Sequence, residues 1–464
     1  MLSIGHLTGM LILLLGVLII SVFSIKKVDS ISEFIVGSQE VGAGIVMGTI
    51  LGTLIGGTST IATVQLAYQS GLSGIAFTLG AGLGCIILGL FFTKTLREAE
   101  VETGPQFLVK AFGSKAGPLS SLFISLGTLI NIIGNTLAAV ALLTSVFGLA
   151  PALAVVLTGG LIIAYVFFGG IQGLGLMGIV KSILVYLVML LAGMTALRSA
   201  GGLAGLGLSL ELQSLVQLFE RGISNDLLAV GAVIVGVLST QTYLQAVFMG
   251  KDVRTSRVGT ITSGLLMIPL GLIGTSVGLY MQLNYPGIDS SQALPIFILE
   301  YFSPVLAGVI LATLLIMVII TGAGLTLGVS TIFSRDIYGK LINPGATDKE
   351  SIKVSRLAIL AIVGFSSLFT LGNVGTVIME WSYLSMALRG AAMFLPFLGA
   401  VFFNQEISQR AGVLTIAIAP SMSLLWAIFS PVQLDPLYIG LLIGLIILGS
   451  SFLNSKYKYS LSEN

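Results

Sequence analysis

The stretch GTLIGGTSTIATVQLAYQSGLSG, Gly52 to Gly74, interrupts an apolar run that extends from 42 to 66. That run is long enough to cross a bilayer, yet glycines and hydroxyls crowd its middle at Gly56–Thr60. Unwound backbone survives at such depth only where it is buried in protein or lines a cavity. There it offers free carbonyls to a cation and free N–H groups to an anion. The competing reading is that small residues merely let helices approach, which suits scattered glycines such as Gly80 and Gly84. For Gly56–Thr60 the expectation is a break that makes ligand-binding groups.

Composition makes the membrane setting unavoidable. Apolar residues are 55% and charged residues 9% of the 464, against about 25% charged in a soluble domain; mean hydropathy is +1.07. The lone Cys85 and the lone His6 exclude a disulfide framework and a His- or Cys-based metal cluster. No basic face for nucleic acid and no phosphate loop is present, and clustered catalytic His, Asp or Cys residues are missing from the apolar runs, so an enzyme is not expected. The first apolar run precedes Lys26 and Lys27 without a small-residue cleavage site and reads as a retained span.

Thirteen runs reach membrane length: 7–25, 42–66, 71–93, 118–147, 151–168, 176–197, 224–248, 258–284, 303–334, 353–372, 374–402, 410–429 and 434–453. With the N-terminus outside, Lys26, Lys27, Lys94, Arg97, Lys110, Lys115, Lys251, Arg254, Arg257, Arg335, Lys340, Lys349, Lys353, Arg356, Arg410, Lys456 and Lys458 all fall inside, and only Arg198 and Arg221 outside. One missed span would scramble that segregation. The chain is therefore expected to be an all-α integral protein of the plasma (inner) membrane, with the N-terminus outside and the C-terminus cytoplasmic.

The ten spans from Gly42 to Phe402 form a core, numbered here core helices 1 to 10. Core helix 6, which opens the second five, carries STQTYLQ (Ser239–Gln245) where core helix 1 carries GGTST. Five is odd, so the second set lies inverted relative to the first. Paired interruptions in inverted halves point to a binding site at the midplane. The expected division is 1–41 (extra helix and loop), 42–402 (core, with repeats 42–197 and 224–402) and 403–464 (two further helices and tail).

Four stretches resemble the sodium:solute symporter family, which is built on the five-plus-five inverted-repeat fold of the leucine transporter. They are GGTSTIATVQLAYQSGLSG in core helix 1, FFGGIQGLGLMGIVKSI (Phe167–Ile183) entering core helix 5, QTYLQAVFMGKD (Gln241–Asp252) leaving core helix 6, and VSTIFSRDIY (Val329–Tyr338) ending core helix 8. The resemblance implies alternating access, with a small-molecule solute moved alongside a cation, sodium or a proton, and no further cofactor. A monomer in contact with lipid alone is expected.

Carried over position by position, the family's sodium site falls on the carbonyls of Gly52 and Ile55 and on Met317, Ile320 and Thr321 of core helix 8. One of two usual hydroxyls is thus replaced, by Ile320. The acid usual on core helix 5 falls on Gly178, and the glutamine on Lys181. An ammonium can occupy a cage that suits a hard cation, and burial makes an amine easier to deprotonate. Lys181 is expected either to substitute for sodium and couple transport to protons, or to snorkel toward water and leave a weakened sodium site. A transport-inactive sensor is the alternative of another class.

Solute contacts are expected from Thr58, Ser59 and Gln65 at the first break, Gln241, Tyr243 and Gln245 at the second, and Asn131 and Asn135 on core helix 3. The asparagines are either solute contacts or interhelical hydrogen bonds, and Tyr243 is either a gate or packing. Arg389, deep in core helix 10, either binds an anionic solute or pins helices; Glu380, nine residues away, is too far along the helix to pair with it directly.

Overall fold

The computed structural model describes residues 3–24, 41–206, 221–403, 406–432 and 434–462. Lys26, Lys27 and the side chains of Lys456 and Lys458 lie outside the described residues. Among those described, every regular element is helical, apart from an isolated parallel bridge between Val41 and Gly250.

Among the described residues, nine helices are long and apolar enough to cross a membrane, and the pair Ile223–Leu238 and Gln241–Met249, bent by 49°, makes a tenth if taken as one span. The three other expected spans coincide with shorter apolar helices: Ile4–Gly16, Ala43–Leu54 and Pro151–Phe167. Expected core helices 4 and 5 fall within one helical element, Pro151–Ser199. Between core helices 7 and 8 there is also a short buried helix, Ala293–Tyr301, that the hydropathy pattern does not reveal.

Local chemistry sets the boundaries. Pro151 and Pro304 begin their helices, where a missing N–H costs nothing. Gly148 closes core helix 3 (Ala116–Phe147) at φ 63°, a left-handed cap that glycine adopts without strain. Asp252 accepts from Thr255 N–H at 2.7 Å to start core helix 7, Val253–Asn284. That hydrogen bond holds the exposed Asp252 carboxyl below its usual range. Thr347 and Glu350 cap core helix 9, Asp348–Gly372, reciprocally.

Both halves of core helix 1, Ala43–Leu54 and Ile61–Ser70, lie buried at the centre. Large apolar side chains such as Val156, Leu227, Leu368 and Leu445 are exposed at the periphery, as a lipid-facing belt requires. Core helices 1 and 5 meet backbone to backbone. A Cβ at Gly178 would lie 1.9 Å from the Gly48 carbonyl oxygen and 3.0 Å from Gly52 Cα. No acid, nor any other side chain, fits at 178 without moving core helix 1.

Gly178→Ala is therefore expected to cost at least about 1–3 kcal/mol through overpacking. Gly364→Ala, with nothing within 4 Å of the added methyl, is expected to be neutral or better. Thermal unfolding of the two purified variants compares them; equal stability would contradict the backbone contact.

Candidate functional site

In an unbroken helix the N–H of Gly56 would bond the carbonyl of Gly52. Here Ser59 Oγ accepts that N–H at 2.9 Å, and the Gly52 carbonyl is left to another donor. Lys181 Nζ supplies it at 2.6 Å. The same amine donates to Thr321 Oγ1 at 2.7 Å and to Met317 O at 3.2 Å. Thr321 Oγ1 donates in turn to Ile55 O at 2.9 Å. A lysine has three N–H donors, and all three are used.

Lys181 is 1% exposed, so it does not reach water in this structure. Among the described residues it has no carboxylate partner. Its charge is met by peptide and hydroxyl dipoles at the C-terminal end of Ala43–Leu54, the negative end of that half-helix. Gly52, Ile55, Met317, Thr321 and Lys181 thus form one cluster joining core helices 1, 5 and 8. Met317 takes part through its carbonyl, while its sulfur accepts from Thr60 Oγ1 at 3.4 Å.

Other groups freed by the break also find partners. Asn135 Oδ1 accepts from Gly57 N–H at 3.2 Å, and Asn135 Nδ2 donates to Val318 O at 2.8 Å. Asn135 therefore ties core helix 3 to the break and to core helix 8. Ser59 and Thr60 turn back onto the carbonyl of Gly56. Gly56 and Gly57 are needed for space as well: added Cβ atoms would lie 2.7 Å from Thr321 Cγ2 and 2.3 Å from Ala138 Cβ. The break and the close packing are the same feature.

The other expected contacts separate into three places. Thr58 Oγ1 lies 2.8 Å from Ser382 Oγ, which also reaches Asn131 Oδ1 at 3.5 Å. Gln65 is turned away from them, donating to Ser290 Oγ at 3.4 Å and accepting from Ile378 N–H at 3.3 Å. At the second break, which involves only Ser239 and Thr240, Gln241 Oε1 accepts from Gly104 N–H at 2.9 Å. Tyr243 and Gln245 are helical and buried there. Arg389 is fully buried, and none of its three side-chain nitrogens has a hydrogen-bond partner among the described residues.

Sequence reasoning missed Ser382. Its signal was present: Ser382, Ser385 and Arg389 follow i, i+3, i+7 spacing along one face of core helix 10, Ile378–Phe402. Ser385 donates to Gly127 O on core helix 3.

Two interrupted helices at the centre of an inverted-repeat core, with polar side chains converging on the breaks, define a secondary transporter of the leucine-transporter type. Residues 34–416 match the model of the sodium:solute symporter family, and the chain belongs to that family. It is 20% identical to the high-affinity proline transporter of Bacillus subtilis, over 88% of this chain and 89% of that one. It is 22% identical to the osmoregulated proline transporter of the same organism, over 91% and 89%. To the high-affinity choline transporter 1 of Drosophila melanogaster it is 21% identical, over 91% and 71%. Among solved structures, a Na+-coupled sialic acid symporter in its substrate-bound outward-open state superimposes with a TM-score of 0.81 at 18% identity, covering 98% of both chains. A nucleobase-cation-symport-1 family transporter gives 0.57 at 14% identity, over 90% and 93%.

The hydroxyl of Thr321 both receives Lys181 and serves Ile55 O. Thr321→Val is expected to leave a carbonyl and an ammonium proton unpaired, costing about 1–3 kcal/mol. Thr321→Ser, which keeps the hydroxyl, is expected to retain most of that. Melting curves of the two variants decide; a valine as stable as the serine would remove the hydroxyl from the network.

Proposed function

We propose that this protein is an alternating-access carrier of a small polar or anionic solute in which the Lys181 ammonium replaces the sodium ion, with a proton as the coupling ion. The observation that carries this reading is the three-donor arrangement of Lys181 on Gly52 O, Met317 O and Thr321 Oγ1. A hard cation asks for oxygen ligands, and these oxygens already serve a cation. A second positive charge at the same spot would be strongly repelled in a poorly screened interior. The glycine contact at 178 leaves no room for the acid that would strengthen a metal site.

Protonated Lys181 bridges core helices 1, 5 and 8. Loss of its proton removes the charge and one donor, which loosens the first half of core helix 1 from its neighbours. That supplies a two-state element whose balance a proton and a solute can both bias. The solute is read as binding at Thr58, Asn131 and Ser382 beside the break, with Ser59 and Asn135 shaping the break itself. The names of relatives, transporters of proline, choline and sialic acid, support a small polar solute. In this reading the chain is neither an enzyme nor a nucleic-acid binder, and acts as a monomer in the plasma (inner) membrane. Its extra helix (1–41) and terminal pair (403–464) flank the two repeats.

A second reading, a sodium-coupled symporter with a weakened site, is favoured by the convergence of Gly52 O, Ile55 O and Thr321 Oγ1. Uptake into proteoliposomes separates the two. Wild-type uptake is expected to follow an imposed pH gradient and ignore sodium, and Lys181→Ala to lose pH-driven uptake while still melting cooperatively. Uptake that follows sodium and ignores pH overturns the lysine reading. Solute binding without any flux would instead indicate a sensor.

Orientation has its own test. With the N-terminus outside and the C-terminus inside, a cysteine at Asp289 should label with an impermeant reagent in intact cells and one at Ser462 should not. The reverse pattern inverts the topology.

A further inference from the structure

Arg389 is, with Lys181, among the largest fully buried side chains, but its surroundings are the opposite. Nε, Nη1 and Nη2 all lack a hydrogen-bond partner among the described residues. A guanidinium has five donors and no means of losing its charge, so burying it unpaired is costly. Two acids near the end of the bundle that carries Lys251 are already engaged. Glu102 pairs with Arg335, and Asp336 accepts from Thr103, Gln106 and Lys340. Glu380 is about 13 Å back along the same helix.

Core helix 3 packs closely against core helix 10 at Arg389: a Cβ at Gly127 would lie 2.8 Å from Ser385 O and 3.2 Å from Arg389 Cβ. Tyr243 lies near it, in the first turn after the second break on core helix 6. Arg389 also continues the face of Ser382 and Ser385, about 10 Å along the helix from the Thr58–Ser382 contact. It therefore lies between the broken centre and the end where Val41 and Gly250 pair.

We infer that Arg389 is an anion-binding residue between core helices 3, 6 and 10, and that its missing partner is a carboxylate-sized monoanion. The planar fork of arginine matches a carboxylate in two-pronged fashion. That anion is either the solute's own carboxylate or a free inorganic ion such as chloride. The solute assignment deepens the transport reading and rests on it, whereas anion binding itself does not.

The test is thermal unfolding of the purified full-length protein in nanodiscs, at constant ionic strength set with a bulky sulfonate. Acetate, benzoate and glycine are compared with acetamide, benzamide and glycinamide, and chloride is titrated separately. Anions are expected to raise the wild-type melting temperature and the neutral amides not to. In Arg389→Gln the apparent affinity should fall about ten- to a hundredfold. The ligand-free Arg389→Gln protein should melt above wild type, because an unpaired buried charge has gone. If Arg389→Gln does not fold, Arg389→Lys carries the test: it should keep a response to chloride and lose its preference for carboxylates. A response to carboxylates without chloride identifies the solute's group, and a response to chloride alone identifies the inorganic ion. An anion response unchanged in Arg389→Gln, or no anion response in wild type, overturns the inference. Liposome flux keeps the two readings apart. Anion binding without flux leaves the site and removes the carrier, whereas flux undiminished in Arg389→Gln leaves the carrier and removes the solute assignment.

Discussion

The side-chain nitrogen of Lys181 holds the broken helix to its neighbours. Interrupting a helix in hydrocarbon exposes backbone groups that lipid cannot satisfy, so each must find a partner inside the protein. Gly52 O finds Lys181, Ile55 O finds Thr321, and Gly57 N–H finds Asn135. Core helix 8 provides the common anchor. Met317 O and Val318 O each accept a side-chain donor, from Lys181 and Asn135 respectively. Remove the amine, and the first half of core helix 1 keeps the Thr321 contact but loses its link to core helix 5 through Gly52 O.

Close backbone packing makes that reach possible. Gly48 and Gly178 bring core helices 1 and 5 into contact, and Gly175 repeats the arrangement against Ile45 and Thr49. Lys181 follows Gly178 by three residues, so its stem starts where the two backbones are nearly touching and its amine ends at core helix 8. Glycine at 178 is thus a steric requirement of the backbone contact from which Lys181 reaches core helix 8.

Much of this was legible in the sequence. Hydropathy marks the spans, Gly56–Thr60 marks the first break, and Ser239–Gln245 contains the second, at Ser239 and Thr240, because lipid punishes unpaired backbone more severely than water does. What a hydropathy pattern cannot carry is the direction in which a polar side chain is spent. Asn131 and Asn135 sit one turn apart and look equivalent, yet Asn135 is consumed by backbone groups at Gly57 and Val318 while Asn131 is left near Ser382. Gln65 follows the break directly and still turns to Ser290 and Ile378. The inclusion of expected core helices 4 and 5 in one element, Pro151–Ser199, has no signal in an apolar pattern either. These outcomes depend on neighbours brought in from 78 to 313 residues away, as the separations of the Gly57–Asn135 and Gln65–Ile378 bonds indicate.

Lys181 and Arg389 together show why burial alone does not identify a ligand site. Both are cations deep in spans, both are essentially unexposed, and neither has a carboxylate partner among the described residues. Lys181 has three protons and three oxygens, so its site is complete; a ligand could enter only by displacing it. Arg389 has donors and no acceptors, so its site is open in the chemical sense. A buried charge that is fully satisfied stabilises one arrangement of helices, and one that is unsatisfied stores an affinity for what is missing. Lys181, on core helix 5, is bonded to the broken helix, and Arg389 belongs to the helix that the Thr58–Ser382 contact reaches. A solute bridging that contact to Arg389 would therefore bias the same helix arrangement that Lys181 holds, which is the coupling that alternating access needs.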